Sequence, residues 1–309
     1  MKEKIIYKLS SVYRDDFRIT GYLFGDGEPS VCIVGAIRGN EIQQLFTCSQ
    51  LVKRLKMLEE NGDLTPGKSI LVIPSVNPYS LNIRKRFWPT DNTDINRMFP
   101  GYHLGETTQR IAAGVFDVIK EYKLGIQFAS FYMPGVFIPH VRMMDTGYQD
   151  TELAKKFGLP YVVIRTPQPY DTTTLNYNLQ LWNSNAFSLY THETDNIDKF
   201  SSKMAVDAVL RFLKHNKIIR YNGHEGYSSQ VIMEKKLVPV KAHAAGIFDP
   251  IVYVEREVEK GDLLAQILNP YDSSVEDQII SPTNGTVFFM HNHPLTYNNT
   301  VVFKIMQTS

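Results

Sequence analysis

Gly35-Ala36-Ile37-Arg38-Gly39-Asn40-Glu41 is the stretch on which the fold turns. An apolar run at residues 31–34 leads into it and has the character of a buried strand. After it, Ile42, Leu45, Phe46, Val52 and Leu55 recur at helical spacing. The segment is therefore expected to be a strand-to-helix turn in an α/β layer, where open sheets commonly hold their ligands. Its glycines permit a tight turn and a close approach of backbone.

Outward from this turn, strands and helices alternate. Residues 17–24 read as a strand and Gly25-Asp26-Gly27 as a turn, so the chain is expected to open with a hairpin. The helix after Glu41 runs to about Glu60, where Asn61-Gly62 stops it. Residues 69–74 form a short strand, and residues 79–105 a long irregular stretch of the kind that is often functional. A helix starts at Glu106-Thr107-Thr108, and the two threonines are read as helix-start residues. Strands are expected at 124–128, 161–164 and 186–190, and helices at 151–157 and 196–216. This order predicts an α/β fold: a mixed, mostly parallel sheet with helices on both faces. Near Tyr221 the character changes to short strand-like runs punctuated by Gly246, Gly261 and Gly285, which predicts a small all-β domain over 221–309 after an α/β domain over 1–220.

The 309 residues are 43% hydrophobic and 21% charged, an ordinary globular balance. A formal charge of +1 gives no electrostatic reason for nucleic acid or a membrane surface as partner. The basic run Arg84-Lys85-Arg86 reads as a solvated face or a small anion site. Cys32 and Cys48 read as buried free thiols. No secretory leader and no membrane-spanning apolar run are apparent, and the expected location is cytoplasmic.

The opening turn resembles the G-x-x-H-G-x-E turn of the succinylglutamate desuccinylase/aspartoacylase branch of the zinc carboxypeptidase superfamily. A second stretch, Asp94-Ile95-Asn96-Arg97-Met98-Phe99-Pro100-Gly101, resembles the same family's D-L-N-R-x-F-P-G. The flanking Arg86-Phe87-Trp88-Pro89-Thr90-Asp91 resembles its R-x-x-P-x-D, and Pro139-His140-Val141-Arg142 its P-x-x-R. The C-terminal stretch resembles the family's β-domain, which is like a lipoyl/biotinyl hammerhead. It has no Met-Lys-Met or Asp-Lys-Ala attachment site, so carrier function is not expected.

The resemblance implies a zinc-dependent amide hydrolase or carboxypeptidase-like enzyme. It implies that Asn96 and Arg97 grip a substrate carboxylate, with Arg86 and Arg142 as further substrate-binding residues. A guanidinium offers two parallel donors to a planar carboxylate, which suits that task. The alternative for Arg97 is an ion pair with a structural carboxylate. The resemblance also places Glu193 at the general-base position, with an ion pair to an arginine as the alternative.

Of the family's three zinc ligands only Glu41 is retained. Arg38 stands at the first His position, and Ala129 and Gln127 stand where a D-L-H would end the strand at 124–128. A guanidinium does not deprotonate, so Arg38 is expected to repel a metal and to pair with Glu41 or Glu193. His103, His140 and His192 are the histidines near enough in sequence to rebuild a site, while His291 and His293 are expected on the surface of the β-domain. No cofactor is expected; zinc enters by resemblance alone. Two functions follow: a protein that binds a small carboxylate-bearing ligand, or partners an active paralogue or its own copies, without zinc catalysis; or a metal-dependent hydrolase with a rearranged site.

Overall fold

The computed structural model describes the chain except residues 14, 132, 183, 193–195 and 309. Its first part holds strands β1 (Lys2–Leu9), β2 (Phe17–Phe24), β3 (Glu28–Ala36), β4 (Lys68–Ser75), β5 (Leu124–Phe128), β6 (Val136–Met144), β7 (Tyr161–Arg165) and β8 (Asn185–His192). Helices α1 (Ile42–Glu60), α2 (Pro78–Asn82), α3 (Thr107–Ile119), α4 (Thr151–Lys155), α5 (Leu175–Leu181) and α6 (Lys199–His215) intervene. From β9 (Gln230–Met233) onward the described chain is strands with one short 3-10 turn: β10 (Leu237–Lys241), β11 (Gly246–Pro250), β12 (Glu257–Val258), β13 (Leu263–Leu268), β14 (Val275–Ile280), β15 (Gly285–Met290), β16 (Leu295–Thr296) and β17 (Val301–Gln307).

The large sheet is mixed, in the order β1-β2-β4-β3-β5-β8-β6-β15-β17-β10, with β7 on β6, β9 on β7 and β12 on β15. β3 runs parallel to both β4 and β5, and β5 parallel to β8. Alternation along the strands builds two cores, because successive side chains leave opposite faces. Val31, Ile33, Ile70 and Val72 face Leu51, Leu55, Val209 and Phe212 of α1 and α6. Cys32, Val34, Leu71 and Ile73 join Ile111, Val115 and Leu175 of α3 and α5 on the other face. Both cysteines are buried and free, and burial raises their pKa values. No helix among the described residues is long and apolar enough to cross a membrane.

Two sequence expectations need correction. The opening is not a hairpin: β4 inserts between β2 and β3, pairing antiparallel with one and parallel with the other. The turn before β4 seats closely on the turn after β2. A Cβ on Gly27 would come within 1.9 Å of the Gly67 backbone, and the Glu28 N–H donates to the Gly67 carbonyl at 3.1 Å. Strands β1 and β6 and helix α5 carry no strong periodic signal and were not anticipated. His291 is buried at 4% exposure with its ring edge against Phe248, while His293 is exposed.

The β-rich part has its own small sheet, β14-β13-β11-β16, and a core of Phe248, Leu264, Ile267, Val287 and Phe303. It also extends the first part's sheet. β9 pairs with β7, and β15 pairs with the start of β6, so strands from both parts back onto one region around β6 and β8.

Candidate functional site

The turn at 35–41 closes on its own glutamate. Glu41, just ahead of α1, accepts the N–H groups of Ile37 at 2.8 Å and Arg38 at 3.0 Å on Oε2. Gly39 is required here: a Cβ would lie 2.3 Å from the Ser80 carbonyl carbon, because the α2 segment seats directly on the turn. Arg38 then reaches two carboxylates. Its Nη1 donates to Glu41 Oε1 at 3.0 Å, and its Nη2 and Nε donate to Asp94 at 2.9 and 3.0 Å. Arg38 is 5% exposed and Glu41 1%. Burial works against the Arg38 charge, but Glu41 and Asp94 outweigh it and hold the guanidinium protonated.

Asp94 gains a second function from its position ahead of a 3-10 turn, Ile95–Arg97: its Oδ1 accepts the Asn96 N–H at 3.0 Å. Arg86 stands 3.7 Å from its other oxygen. Of the basic run, Arg84 and Lys85 are exposed and only Arg86 turns inward. The motif ends at Gly101, with φ +96° and its Cα against the α3 backbone, where a Cβ would meet Ala113 N at 2.1 Å. At α3 it is the Gln109 side chain that accepts the Glu106 N–H, at 2.9 Å.

Strand β5 brings the third element. Gln127, Ala129 and Ser130 line the same pocket as Arg38, and the Ser130 hydroxyl donates to Glu41 Oε1. Asn96, Arg97, Arg86 and Arg142 line it too. The side-chain oxygen of Asn96 accepts the Leu175 N–H at 3.1 Å and so anchors α5 to the motif. Arg97 Nη1 donates to the Asn96 carbonyl at 3.2 Å, and its guanidinium lies 5.9 Å from the Tyr170 ring centre. Among the described residues no carboxylate is in ion-pair range of Arg97. Burial, then the neighbouring Arg38 charge, lowers the pKa of Arg97. Arg142 donates to the Tyr190 hydroxyl and lies 4.2 Å from that ring's centre.

A fifth arginine was not anticipated from sequence. Arg165, at the end of β7, pairs with Asp171 at 2.9 Å and with Glu234 at 2.6 Å, and donates to the Tyr170 hydroxyl at 2.8 Å. Burial opposes its charge, but these partners raise its pKa. Glu234 follows β9, so the β-rich part supplies one of the groups that fix this wall. No short-range signal marks Arg165; only the pairing of β7 with β6, which sets it opposite Met144, brings it to the pocket that Arg142 lines.

Residues 27–214 match the family described as the succinylglutamate desuccinylase/aspartoacylase catalytic domain. The chain belongs to that family. The likeness to solved members extends over nearly the whole chain. A succinylglutamate desuccinylase/aspartoacylase from Rhodobacter sphaeroides is 19% identical, with TM-score 0.80 over 99% of this chain and 96% of that one. A succinylglutamate desuccinylase from Silicibacter sp. TM1040 gives 18% and 0.82 over 98% and 94%. The product-bound ectoine utilization protein of Ruegeria pomeroyi gives 19% and 0.78 over 95% and 90%. In sequence, an N-alpha-acetyl-L-2,4-diaminobutyric acid deacetylase from Halomonas elongata is 24% identical over 146 residues, which span 45% of this chain and 41% of that relative.

In the desuccinylase/aspartoacylase fold seen here, the described residues around Glu41 do not fit a zinc ion. Both Glu41 oxygens are taken up by four donors: two backbone N–H groups, the Arg38 guanidinium and the Ser130 hydroxyl. Ala129 has no lone pair to give, and a fixed cation stands beside the carboxylate. Catalytic zinc requires about three protein ligands, and no group of three or more His, Cys, Asp or Glu suited to a metal exists among the described residues. His103 sits on the surface, 2.8 Å from Asp117. His140 is buried behind the pocket wall, its ring stacked on Tyr190 at 4.9 Å, and burial pulls its pKa down to about 3. Glu193, expected at the general-base position, lies outside the described residues.

Proposed function

We propose that this protein is a member of the desuccinylase/aspartoacylase family that binds a small carboxylate-bearing ligand, of the N-acyl amino acid class, without zinc catalysis. The carrying observation is the state of its arginines. Arg38 is committed to Glu41 and Asp94, and Arg165 to Asp171 and Glu234. Arg97 faces the same pocket with no carboxylate of the described chain in range, so a ligand carboxylate is its natural partner. Asn96 stands beside it, and Arg86 and Arg142 add positive charge to the walls. The family's deacylase chemistry, and the deacetylase named above, support N-acyl amino acids as the class to screen. An Arg38 salt bridge beside Glu41 supports binding without metal-assisted hydrolysis, since a guanidinium stabilises carboxylates but does not generate a hydroxide nucleophile. A cytoplasmic location accords with two buried free thiols. Pairing with its own copies or with an active paralogue is a further part of this reading.

The test is calorimetry with N-acetyl-L-aspartate, N-succinyl-L-glutamate and N-alpha-acetyl-L-2,4-diaminobutyrate, together with elemental analysis of protein purified without chelator. At least one compound is expected to bind, and Arg97→Ala to weaken it by about 1.5–3 kcal/mol, the worth of a hydrogen bond to a charged group. A binder indifferent to Arg97→Ala would remove the clamp. Near-stoichiometric zinc with turnover would remove the non-catalytic reading.

A further inference from the structure

The inner end of the pocket carries hydrogen-bonding capacity that the protein does not use. Arg38 has five N–H donors, and its bonds to Glu41 and Asp94 engage the Nε–H and one hydrogen on each terminal nitrogen. Two N–H groups are left over. Gln127 lines the same pocket, is 6% exposed, and its amide makes no hydrogen bond to a described residue. Polar groups that face a pocket without a protein partner are open to a ligand's hydrogen bonds. The two residues lie together because β5 runs parallel to β3 with Gln127 opposite Val34, just before the turn that carries Arg38.

The electrostatics of this recess differ from those at Arg97. The Arg38 charge is matched by two carboxylates, Glu41 and Asp94, with Arg86 on the far side of Asp94. A second ligand carboxylate entering beside Arg38 would meet Glu41 and Asp94, whose charges already share that guanidinium. An uncharged amide adds no charge there. Its carbonyl can accept from Arg38 and from the Gln127 NH2.

We propose that Arg38 and Gln127 are specificity-determining residues that hold the uncharged amide of an intact N-acyl amino acid while Arg97 holds its carboxylate. The inference rests on the carboxylate-binding reading above. Hydrolysis of such a ligand replaces the amide with an ammonium and a separate carboxylate. The recess therefore favours the uncleaved compound over either product.

Calorimetry on the full chain with N-acetyl-L-aspartate, L-aspartate and acetate tests this. N-acetyl-L-aspartate is expected to bind at least about tenfold more tightly than L-aspartate, and Gln127→Leu to erase that preference, the scale of one or two buried hydrogen bonds. Binding of L-aspartate is expected to stay within about twofold in Gln127→Leu and to fall in Arg97→Ala. If Gln127→Leu does not fold by circular dichroism, Gln127→Glu keeps the shape, removes the donors and is expected to lose the same preference. Unchanged affinity for N-acetyl-L-aspartate in the folded variant, or an equal loss for all three probes, overturns the role of Gln127 while leaving the Arg97 clamp standing. No binding by the parent of any of these probes or of the two other N-acyl amino acids named above overturns both.

Discussion

Arg38→Met is the most informative single change. It removes the cation while keeping much of the apolar stem's volume. Glu41, 1% exposed, then loses one of four donors and keeps Ser130 and two backbone N–H groups. Asp94, whose side chain is 11% exposed, keeps the Asn96 N–H and Arg86 at 3.7 Å. Breaking a buried ion pair by removing one partner costs about 3–5 kcal/mol. The surviving hydrogen bonds place the expected loss near the lower end, at roughly 3 kcal/mol. That is a large share of a typical total stability of about 5–15 kcal/mol. The assay is urea unfolding followed by circular dichroism, with a lower midpoint and an unchanged slope expected. Adding Glu41→Gln should recover part of the loss, with a coupling of about 0.5–3 kcal/mol. A loss below about 1 kcal/mol would show that the pair behaves like a solvent-exposed one and refute the reasoning.

Three further outcomes are expected. Arg38→His together with Ala129→His should bind zinc far more tightly than either single variant, because both positions line the pocket beside Glu41 and two protein ligands rarely hold the ion; competition with a chromogenic chelator measures this, and a folded double variant no better than the parent would place Ala129 off the ligand position. Adding Gln127→Asp should strengthen the ion's hold by orienting the new histidine. His140, held neutral with a pKa near 3 against 6.5 in the unfolded chain, makes the folded state bind fewer protons than the unfolded one between those values. Its contribution is complete above pH 6.5 and is lost as pH falls toward 3, at up to about 1.4 kcal/mol per unit. His140→Gln should flatten that slope, and equal midpoint shifts between pH 7 and pH 5 in both proteins would count against it.

Local order along the chain was enough to place the strand before Gly35, helices α1, α3 and α6, and the switch to β structure, because apolar periods of two and of 3.6 are short-range signals. The motif at 94–101, with Arg86 upstream and Arg142 downstream, was also legible, and its arginines do converge on one pocket. What sequence could not supply were the partners. Arg38 was expected to pair with Glu41 or Glu193; Asp94, 56 residues away, is its second anchor. Gln127 read as a mere substitution and proves to be a buried amide facing the pocket with no protein partner among the described residues. Arg165, Tyr170 and Glu234 joined the site only through the pairing of β7 with β6 and β9. The separation of β2 from β3 by β4 and the burial of His291 have the same origin. Periodicity tells a residue which face it occupies, but strand order decides which distant charge or carbonyl it meets there, and that choice is settled by burial and hydrogen bonding over the whole sheet.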